Sequence, residues 1–176
     1  MQEILLDAAG FDGAIKKVAK EIFAQNKNIS DLAVVGIQNR GVLVAKRILA
    51  ELAAIAKVPQ EAIPFGTLDI TLYRDDLDDF GADMPVIKDT EIPFDISRKN
   101  IILVDDVLYT GRTVRAALDV LTDFGRPKCI QLAVLVDRGH RELPIEAGYA
   151  GVRKVIGDKV KVECKEIDGI DRVVIL

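Results

Sequence analysis

The chain has 176 residues, of which 49% are hydrophobic and 30% are charged, and its formal net charge is −4. This balance suits one compact α/β domain spanning residues 1–176, and it argues against a dedicated, uniformly basic nucleic-acid-binding protein. No apolar run approaches the roughly 18 residues that a membrane span needs, and the first residues do not have the pattern of a signal peptide, so we expect a cytoplasmic protein.

Cysteine and histidine are too scarce to organise a site by themselves. Cys129 and Cys164 are isolated from each other and from other ligands, so we expect two buried or half-buried free thiols rather than a disulfide framework or a zinc site. The single histidine, His140, excludes a His-based catalytic triad unless it serves one itself, and no nucleophile stands beside it.

The first half of the chain alternates between helical and strand patterns. Residues 13–26 predict a helix, with Ile15, Val18, Ile22 and Phe23 on one face. The apolar run at 32–37 predicts a buried strand. The later patterns in this half predict a helix at 41–56 and a strand at 65–72.

Residues 73–98 have no firm periodicity and are rich in aspartate. Connections of more than about 12–15 residues in a compact domain are usually lids or binding loops, and a solvated insertion is the alternative. The sequence leaves both open for the segment that carries Asp75, Asp76, Asp78, Asp79, Asp83, Asp89, Pro85 and Pro93.

The second half repeats the alternation. A strand at 101–104 precedes a helix at 113–124, which Gly125 and Pro127 are expected to end. Further strands are predicted at 129–136, 160–166 and 172–176. Continuous apolar strands that alternate with helices indicate a mainly parallel, twisted sheet covered on both faces.

The most informative stretch is Val-Asp-Asp-Val-Leu-Tyr-Thr-Gly-Arg-Thr, at residues 104–113. An acidic pair follows a buried strand, and a turn rich in hydroxyls opens a helix. Backbone N–H groups at such a turn hold phosphate, and the carboxylates of Asp105 and Asp106 can accept hydrogen bonds from sugar hydroxyls. Together these groups predict a site for a phosphorylated ribose.

Two other polar turns are expected at the same sheet edge, because ligands of parallel sheets bind beyond the carboxyl ends of the strands. They are residues 38–41 and 137–140. Phosphoacceptor receiver domains also have an acidic pair after a strand, but there it usually follows the first strand. Here the pair lies past residue 100 and is followed by Thr-Gly-Arg-Thr.

Residues 104–113 resemble the phosphoribosyl-pyrophosphate motif of the type I phosphoribosyltransferases. Residues 35–41 are similar to the pyrophosphate loop of that family, and residues 69–77 to its mobile catalytic loop. Residues 135–145, Leu-Val-Asp-Arg-Gly-His-Arg-Glu-Leu-Pro-Ile, are similar to one branch, the bifunctional pyrimidine operon attenuators / uracil phosphoribosyltransferases. The resemblance covers nearly the whole chain and implies a mainly parallel sheet flanked by helices, with a small hood and a mobile lid.

The resemblance also implies roles for individual residues. Asp105 and Asp106 would hold the ribose hydroxyls, and Tyr73, Arg74 and Asp75 would close over the leaving group. The pyrophosphate would meet Asn39, Arg40 and Gly41, in a turn that is often strained in this family. The 5-phosphate loop would comprise Val107, Leu108, Tyr109, Thr110, Gly111, Arg112 and Thr113, and the uracil ring would be framed by Val136, Asp137, Arg138 and His140.

The implied reaction converts uracil and phosphoribosyl pyrophosphate to UMP and pyrophosphate. Negative charge gathers on the leaving oxygens, so the resemblance implies Mg²⁺ and cationic side chains there. Because Mg²⁺ keeps several waters, substrate oxygens are its expected ligands, with Asp105 and Asp106 at most assisting. A different base, a purine or orotate, is a weaker alternative.

The branch also implies regulation by binding the leader mRNA of pyrimidine genes, and a homodimer or higher homo-oligomer. Lys16, Lys20 and Lys27 would lie within about 40° of one another on a helix, and with Arg141 they are the candidate RNA contacts. An ordinary solvated helix face is the alternative. Glu146 and the acidic net charge oppose RNA binding, because a carboxylate repels phosphate.

Overall fold

The computed structural model describes residues 2–73 and 89–176. Three single turns of 3₁₀ helix, at Ile29–Asp31, Gln60–Ala62 and Thr71–Tyr73, accompany the main elements. The main elements run in the order β1 (Glu3–Leu6), α1 (Ala8–Gln25), β2 (Leu32–Ile37), α2 (Arg40–Ala56), β3 (Phe65–Leu68), β4 (Asn100–Leu108), α3 (Arg112–Phe124), β5 (Cys129–Asp137), β6 (Tyr149–Arg153), β7 (Val160–Glu163), α4 (Lys165–Asp168) and β8 (Arg172–Ile175).

The described residues form two sheets. In the larger one, five strands lie in the order β3–β2–β4–β5–β6, and every neighbouring pair is parallel. The smaller one, β1–β8–β7, is antiparallel and joins the two ends of the chain. We call β1, β7, α4 and β8 the hood.

Both faces of the parallel sheet are buried, which explains the continuous apolar runs in its strands. Val34 and Ile102 pack into a cluster with α1, α2 and hood residues. Their neighbours Val35 and Leu103 pack into a second cluster with α3. Successive strand residues therefore enter opposite layers, as a strand requires.

The predicted element types were right for most of the chain, and the boundaries moved. The strand predicted at 65–72 ends at Leu68 and is followed by a 3₁₀ turn, and the one predicted at 160–166 gives way to α4 after Glu163. The sequence patterns predict neither β1 nor β6, which are four and five residues long.

Helix α1 begins earlier than predicted. The side chain of Asp7 accepts a hydrogen bond from the backbone N–H of Gly10, 2.8 Å away, and so caps the first turn. The helix ends at Gln25. Lys27 therefore lies beyond it, and the helical spacing that grouped Lys27 with Lys16 and Lys20 does not apply.

Residues 89–98 of the aspartate-rich segment belong to the described part of the chain. Glu91 pairs with Thr67 of β3 through two backbone hydrogen bonds of 2.8 and 2.9 Å, and Ile96 is fully buried. Arg74, Asp75 and the rest of residues 74–88 lie outside the described residues, so the choice between lid and solvated insertion stays a prediction.

No helix in the described ranges, 2–73 and 89–176, is both long and apolar enough to cross a bilayer.

Candidate active site

The acidic pair lies inside β4, which is longer than the predicted strand and runs through to Leu108. Asp105 is 5% exposed and Asp106 is half-buried. The backbone N–H of Asp106 donates to Oδ1 of Asp105, and that of Val107 donates to Oδ1 of Asp106, each over 2.9 Å. The backbone thus fixes both carboxylates at the carboxyl end of the central strand.

Asp105 is held in an environment that opposes its charge. Burial, and after it the negative charge of Asp106, raise the pKa of Asp105 well above its ordinary value. Perturbed carboxylates of this kind are common at functional sites. A ligand that donates hydroxyl groups would relieve part of this cost, because hydrogen bonds to the charged form stabilise it.

The loop after β4 forms a cradle at the start of α3. Gly111 has φ +95°, a conformation that disfavours other residues, and makes no side-chain cap on the helix. The N–H of Arg112 donates to Oγ1 of Thr110 over 3.4 Å, and the N–H groups of Thr113 and Val114 that follow it in the first turn of α3 can face an anion. A cavity of about 120 Å³ lies here, lined by Asp105, Val107, Leu108, Tyr109, Thr110, Gly111, Thr113 and Val114.

The segment after β5 holds this loop in place. The carbonyl of Thr110 accepts hydrogen bonds from the backbone N–H groups of Glu142, at 3.0 Å, and Leu143, at 3.2 Å. Arg112 donates through Nε to Glu142 over 2.8 Å and is half exposed beside the cradle. The predicted phosphate loop is therefore in direct contact with residues 142 and 143, just beyond those predicted to frame the uracil ring.

The turn between β2 and α2 also reaches the acidic pair. The peptide bond between Gln38 and Asn39 is cis. A Cβ on Gly41 would lie 2.9 Å from the carbonyl oxygen of Val104 and 3.1 Å from Oδ1 of Asp105. Only glycine allows this approach, and it brings the predicted pyrophosphate turn against the predicted ribose carboxylates.

Arg40, the first residue of α2, contacts the hood. Its Nη2 donates to both carboxylate oxygens of Asp168, over 3.0 and 3.2 Å. Within residues 2–73 and 89–176, its Nε is the one buried side-chain nitrogen or oxygen without a hydrogen-bond partner. The turn is thus tied to a carboxylate that lies 128 residues further along the chain.

At the end of β5, Val136 is fully buried, and the carboxylate of Asp137 accepts hydrogen bonds from two arginines. Arg141 and Arg153 donate to opposite oxygens of Asp137. Burial acts to raise the pKa of Asp137, but the hydrogen bonds from Arg141 and from the N–H of Gly139 outweigh it and lower the pKa below its ordinary value. Asp137 is therefore an ionised group that shapes the loop.

Arg138 links the two sides of the site. It is 7% exposed, and its Nε and Nη2 donate to the carbonyls of Ile156, at 3.2 Å, and Gly157, at 2.9 Å. Its guanidinium stacks on the ring of Tyr109 at 3.9 Å. His140, with φ +57°, approaches the same ring edge-on at 6.2 Å. These three side chains frame the edge of the cradle.

The predicted RNA contacts are not grouped as expected. Lys16 and Lys20 are exposed on α1, but Lys16 is paired with Asp12 over 2.7 Å. Arg141 uses its guanidinium within the chain, on Asp137 and on the carbonyls of Tyr109, Gly139 and Ile145. Arg141 therefore has a structural role, and Lys27 is separated from the helix.

Tyr73, the last described residue before the gap, donates its hydroxyl to Asp123 near the end of α3 over 2.7 Å. This hydrogen bond raises the pKa of Tyr73 above its ordinary value. Arg74 and Asp75, predicted to close over the leaving group with it, lie outside the described residues.

Both cysteines are free, as predicted, but only Cys164 is buried. Burial raises its pKa to about 11, which leaves the thiol protonated. Cys129 is exposed, contrary to the expectation of burial, because it begins β5 at the end of the sheet opposite the acidic pair.

The arrangement suits binding of an anionic sugar more than binding of a bare metal ion. No group of three or more histidine, cysteine or acidic side chains within the described residues is placed to hold a metal. A carboxylate pair, a helix N-terminus and an arginine at one edge can hold hydroxyls and phosphates. The sequence did not reveal Asp168 and Glu142, the partners of Arg40 and Arg112, because each lies far along the chain from its arginine.

Comparison with known proteins places these features in a family. Residues 1–167 match the model of the phosphoribosyl transferase domain. A protein of Endomicrobium trichonymphae named "Bifunctional protein PyrR" is 68% identical over 173 residues, covering 98% of each chain. A protein of the same name from Pelotomaculum thermopropionicum is 52% identical, over 98% of this chain and 94% of the relative.

Solved structures give the same fold at low identity. A hypoxanthine-guanine phosphoribosyltransferase of Bacillus anthracis matches with a TM-score of 0.75 and 17% identity, over 99% of this chain and 98% of that one. A hypoxanthine phosphoribosyltransferase of Trypanosoma cruzi matches with a TM-score of 0.76 and 18% identity, over 98% and 94%. The expected type I phosphoribosyltransferase fold is thereby confirmed.

Proposed function

The chain belongs to the phosphoribosyl transferase domain family and, within it, to the bifunctional PyrR proteins, and on this basis we propose that it acts in the cytoplasm as a uracil phosphoribosyltransferase. It would convert uracil and phosphoribosyl pyrophosphate to UMP and pyrophosphate. The contact of Gly41 with Asp105 carries the proposal, because it joins two of the three binding elements at one sheet edge. The third, the phosphate cradle, follows Asp105 directly.

Each element would hold one part of the substrate. Asp105 and Asp106 would accept hydrogen bonds from the ribose hydroxyls, and the N-terminus of α3 would bind the 5-phosphate. Arg40 and the neighbouring backbone would bind the pyrophosphate. Arg138 and His140, beside Tyr109, would border the uracil ring.

The chemistry follows from this placement. The bond between the ribosyl carbon and the pyrophosphate oxygen breaks, and its electron pair leaves with the pyrophosphate. A ring nitrogen of uracil bonds to the carbon, and its proton passes to water or to the departing pyrophosphate. Charge that gathers on the leaving oxygens favours a cation held at that position, as Arg40 would be. Arg74 and Asp75, together with Tyr73 once its hydroxyl leaves Asp123 at the far end of α3, would exclude water from the reacting carbon.

Mg²⁺ fits this donor set as a partner of the substrate. Asp105 and Asp106 offer hard oxygen ligands but no complete cage, so the ion would be carried mainly by phosphate and sugar oxygens. When bound, it would supply positive charge at the pyrophosphate.

Assay of the purified protein with both substrates and Mg²⁺ tests the activity directly, and absence of UMP would reject it. The variant with Asp105→Asn and Asp106→Asn should lose turnover while keeping its circular dichroism spectrum. If that variant turned over normally, the ribose role of the pair would be excluded. Competition among uracil, hypoxanthine and orotate separates this proposal from a transferase for another base.

Regulation is the second function, favoured by the word "bifunctional" in the names of the relatives. We propose that UMP promotes binding to the leader mRNA of pyrimidine genes, with Lys16 and Lys20 as phosphate contacts. Gel-shift titration of the organism's own leader RNA, with and without UMP at moderate salt, tests this. An RNA-binding protein with little enzymatic activity would shift the RNA and fail the UMP assay.

A homodimer or higher homo-oligomer is also proposed, as the resemblance implies. Light scattering of the purified protein measures this directly, and a monomer mass across micromolar concentrations would reject it.

A further inference from the structure

The hood carries one acidic side chain that reaches the site. Asp168 closes the four-residue helix α4 and receives Nη2 of Arg40 on both of its carboxylate oxygens. Its side chain is 15% exposed and that of Arg40 is 30% exposed. The pair is thus partly shielded from water, where a charge-assisted contact is stronger than on an open surface.

The carboxylate of Asp168 is also held by a contact that does not involve Arg40. Its Oδ2 accepts a hydrogen bond from the backbone N–H of Cys164 over 2.9 Å. Two neighbouring contacts secure the same segment, because Arg47 of α2 donates to Glu166 over 2.7 Å and to Asp171 over 2.8 Å. Asp168 therefore belongs to a short segment, residues 166–171, whose side chains bind α2 at several points.

The side-chain conformation of Arg40 is the one that allows its hydrogen bonds to Asp168. Its buried Nε has no partner within the described residues. Leaving a buried donor unpaired costs free energy, so the side chain keeps this conformation only because other contacts outweigh that cost. The hydrogen bonds to Asp168 are the side-chain contacts that the structure gives it.

We propose that Asp168 is a positioning residue that holds Arg40 ready for the pyrophosphate group of the substrate. The proposal rests on the role assigned to Arg40 under the proposed function. Asp168 binds one guanidinium nitrogen, Nη2, and so leaves Nη1 to the ligand. An arginine that is already immobilised loses less conformational entropy on binding than a free one.

Asp168 could instead compete with pyrophosphate for Arg40, and that role predicts the opposite change in affinity. If Asp168 competed with pyrophosphate for Arg40, removing its charge would tighten binding. If it positions Arg40, removing its charge would weaken binding. The direction of one measured change therefore decides between them.

Asp168→Asn is the informative variant, because asparagine keeps the shape and can still accept from the N–H of Cys164. Immobilising one long side chain is worth about three- to tenfold in affinity. We expect the dissociation constant for inorganic pyrophosphate with Mg²⁺, measured by calorimetry, and the KM for phosphoribosyl pyrophosphate to rise by about that factor. The kcat and the KM for uracil should stay within about twofold, whereas general loss of folded protein would lower the apparent kcat.

Glu166→Gln is the matched control, since it removes a carboxylate from the same helix and from the other arginine of α2. It should leave pyrophosphate affinity unchanged. Arg40→Gln tests the underlying assignment, and in that background Asp168→Asn should add no further loss.

The outcomes distinguish a failure of the role of Arg40 in pyrophosphate binding from a failure of the positioning role of Asp168. If Arg40→Gln left pyrophosphate affinity unchanged, the role of Arg40 in the proposed function would fail. If Arg40→Gln weakened binding but Asp168→Asn left it equal or tighter, the positioning role would be overturned while the function stood. An equal effect of Glu166→Gln and Asp168→Asn would also overturn it, because a general loosening of the hood would then explain both.

Discussion

The buried position of Asp105 favours ligand binding but lowers the stability of the folded state. Its carboxylate is buried next to a second carboxylate, and burial first and the charge of Asp106 second raise its pKa. In the pH range between its ordinary and its raised pKa, the folded state holds a proton that the unfolded chain releases. Stability therefore falls as pH rises through this range, and the full penalty is present above the raised pKa.

Replacing Asp105 with asparagine should expose this penalty. At pH above the raised pKa, Asp105→Asn removes the buried charge, so we expect the free energy of unfolding to rise by about 1 kcal/mol, equal to ~2–4 °C in Tm for a chain of this size. The same variant should lose activity, a common trade at functional sites. Thermal unfolding measured across pH checks the prediction, and a difference in Tm between variant and wild type that did not grow in favour of the variant as pH rises would contradict it.

Asp137 provides a control of opposite sign. Burial raises its pKa, but hydrogen bonds from Arg141 and Gly139 lower it overall. Its contribution to stability is therefore present above its ordinary pKa and is lost as pH falls through the lowered value. Asp137→Asn should lower Tm at neutral pH, with a difference from wild type that shrinks in acid.

Gly41 is a second residue at which a single added atom, a Cβ, is expected to change activity. A Cβ there would meet the backbone carbonyl of Val104 at 2.9 Å, which cannot move without shifting β4. We expect Gly41→Ala to lower kcat/KM by roughly 10- to 100-fold, because it displaces the turn from the acidic pair.

Gly13→Ala is the matched control, since a Cβ at Gly13 in α1 would have no atom within 4 Å apart from its chain neighbours and the nearby backbone of its own helix. It should raise the free energy of unfolding by up to ~1 kcal/mol through helix propensity and leave the kinetics unchanged. Equal kinetics in both variants would show that the close approach at Gly41 is dispensable.

At the scale of elements, the sequence predicted what periodicity and local chemistry encode. Strands β2, β4 and β5 are continuous apolar runs, and the residues around Asp105 and Gly111 carry a local motif, so both could be recognised. Strands β1 and β6 are short edge strands with too few residues to show a clear periodicity, and β1 pairs with β8 at the other end of the chain. The pairing of Arg40 with Asp168 spans 128 residues, and no local pattern predicts it.

Helix α2 and the hood are joined by Arg47 as well as by Arg40. Arg47 donates to Glu166 and Asp171 and lies 5.0 Å over the ring of Phe11. Arg47→Met would leave Asp171, whose side chain is 24% exposed, without this partner. We expect a loss of about 1–3 kcal/mol in the free energy of unfolding.

Urea denaturation measures this loss, with Lys46→Met as control because Lys46 is an exposed cation one position earlier on the same helix. Lys46→Met should change the free energy of unfolding by no more than ~0.5 kcal/mol. Equal midpoints for the two variants would mean that the arginine contributes no more than a surface charge.

At the scale of the whole molecule, the net charge of −4 makes any RNA contact local. Exposed Glu146 lines the same groove, of about 330 Å³, as Gln25 at the end of α1. Glu146 and the C-terminal end of α1 therefore border one groove, and Lys16 and Lys20 are exposed on the same helix. Repulsion between this carboxylate and RNA phosphates should weaken binding and should be screened by salt.

Reversing the charge at Glu146 tests whether this face meets RNA. We expect Glu146→Lys to tighten binding of the pyrimidine leader RNA at low salt and to steepen the slope of log affinity against log salt by about 1. Glu61→Lys makes the same change beside β3, at the opposite edge of the sheet from β6, and should leave the slope unchanged. An equal gain from both variants would mean that RNA responds only to net charge, and the face formed by α1 and Glu146 would lose its assignment.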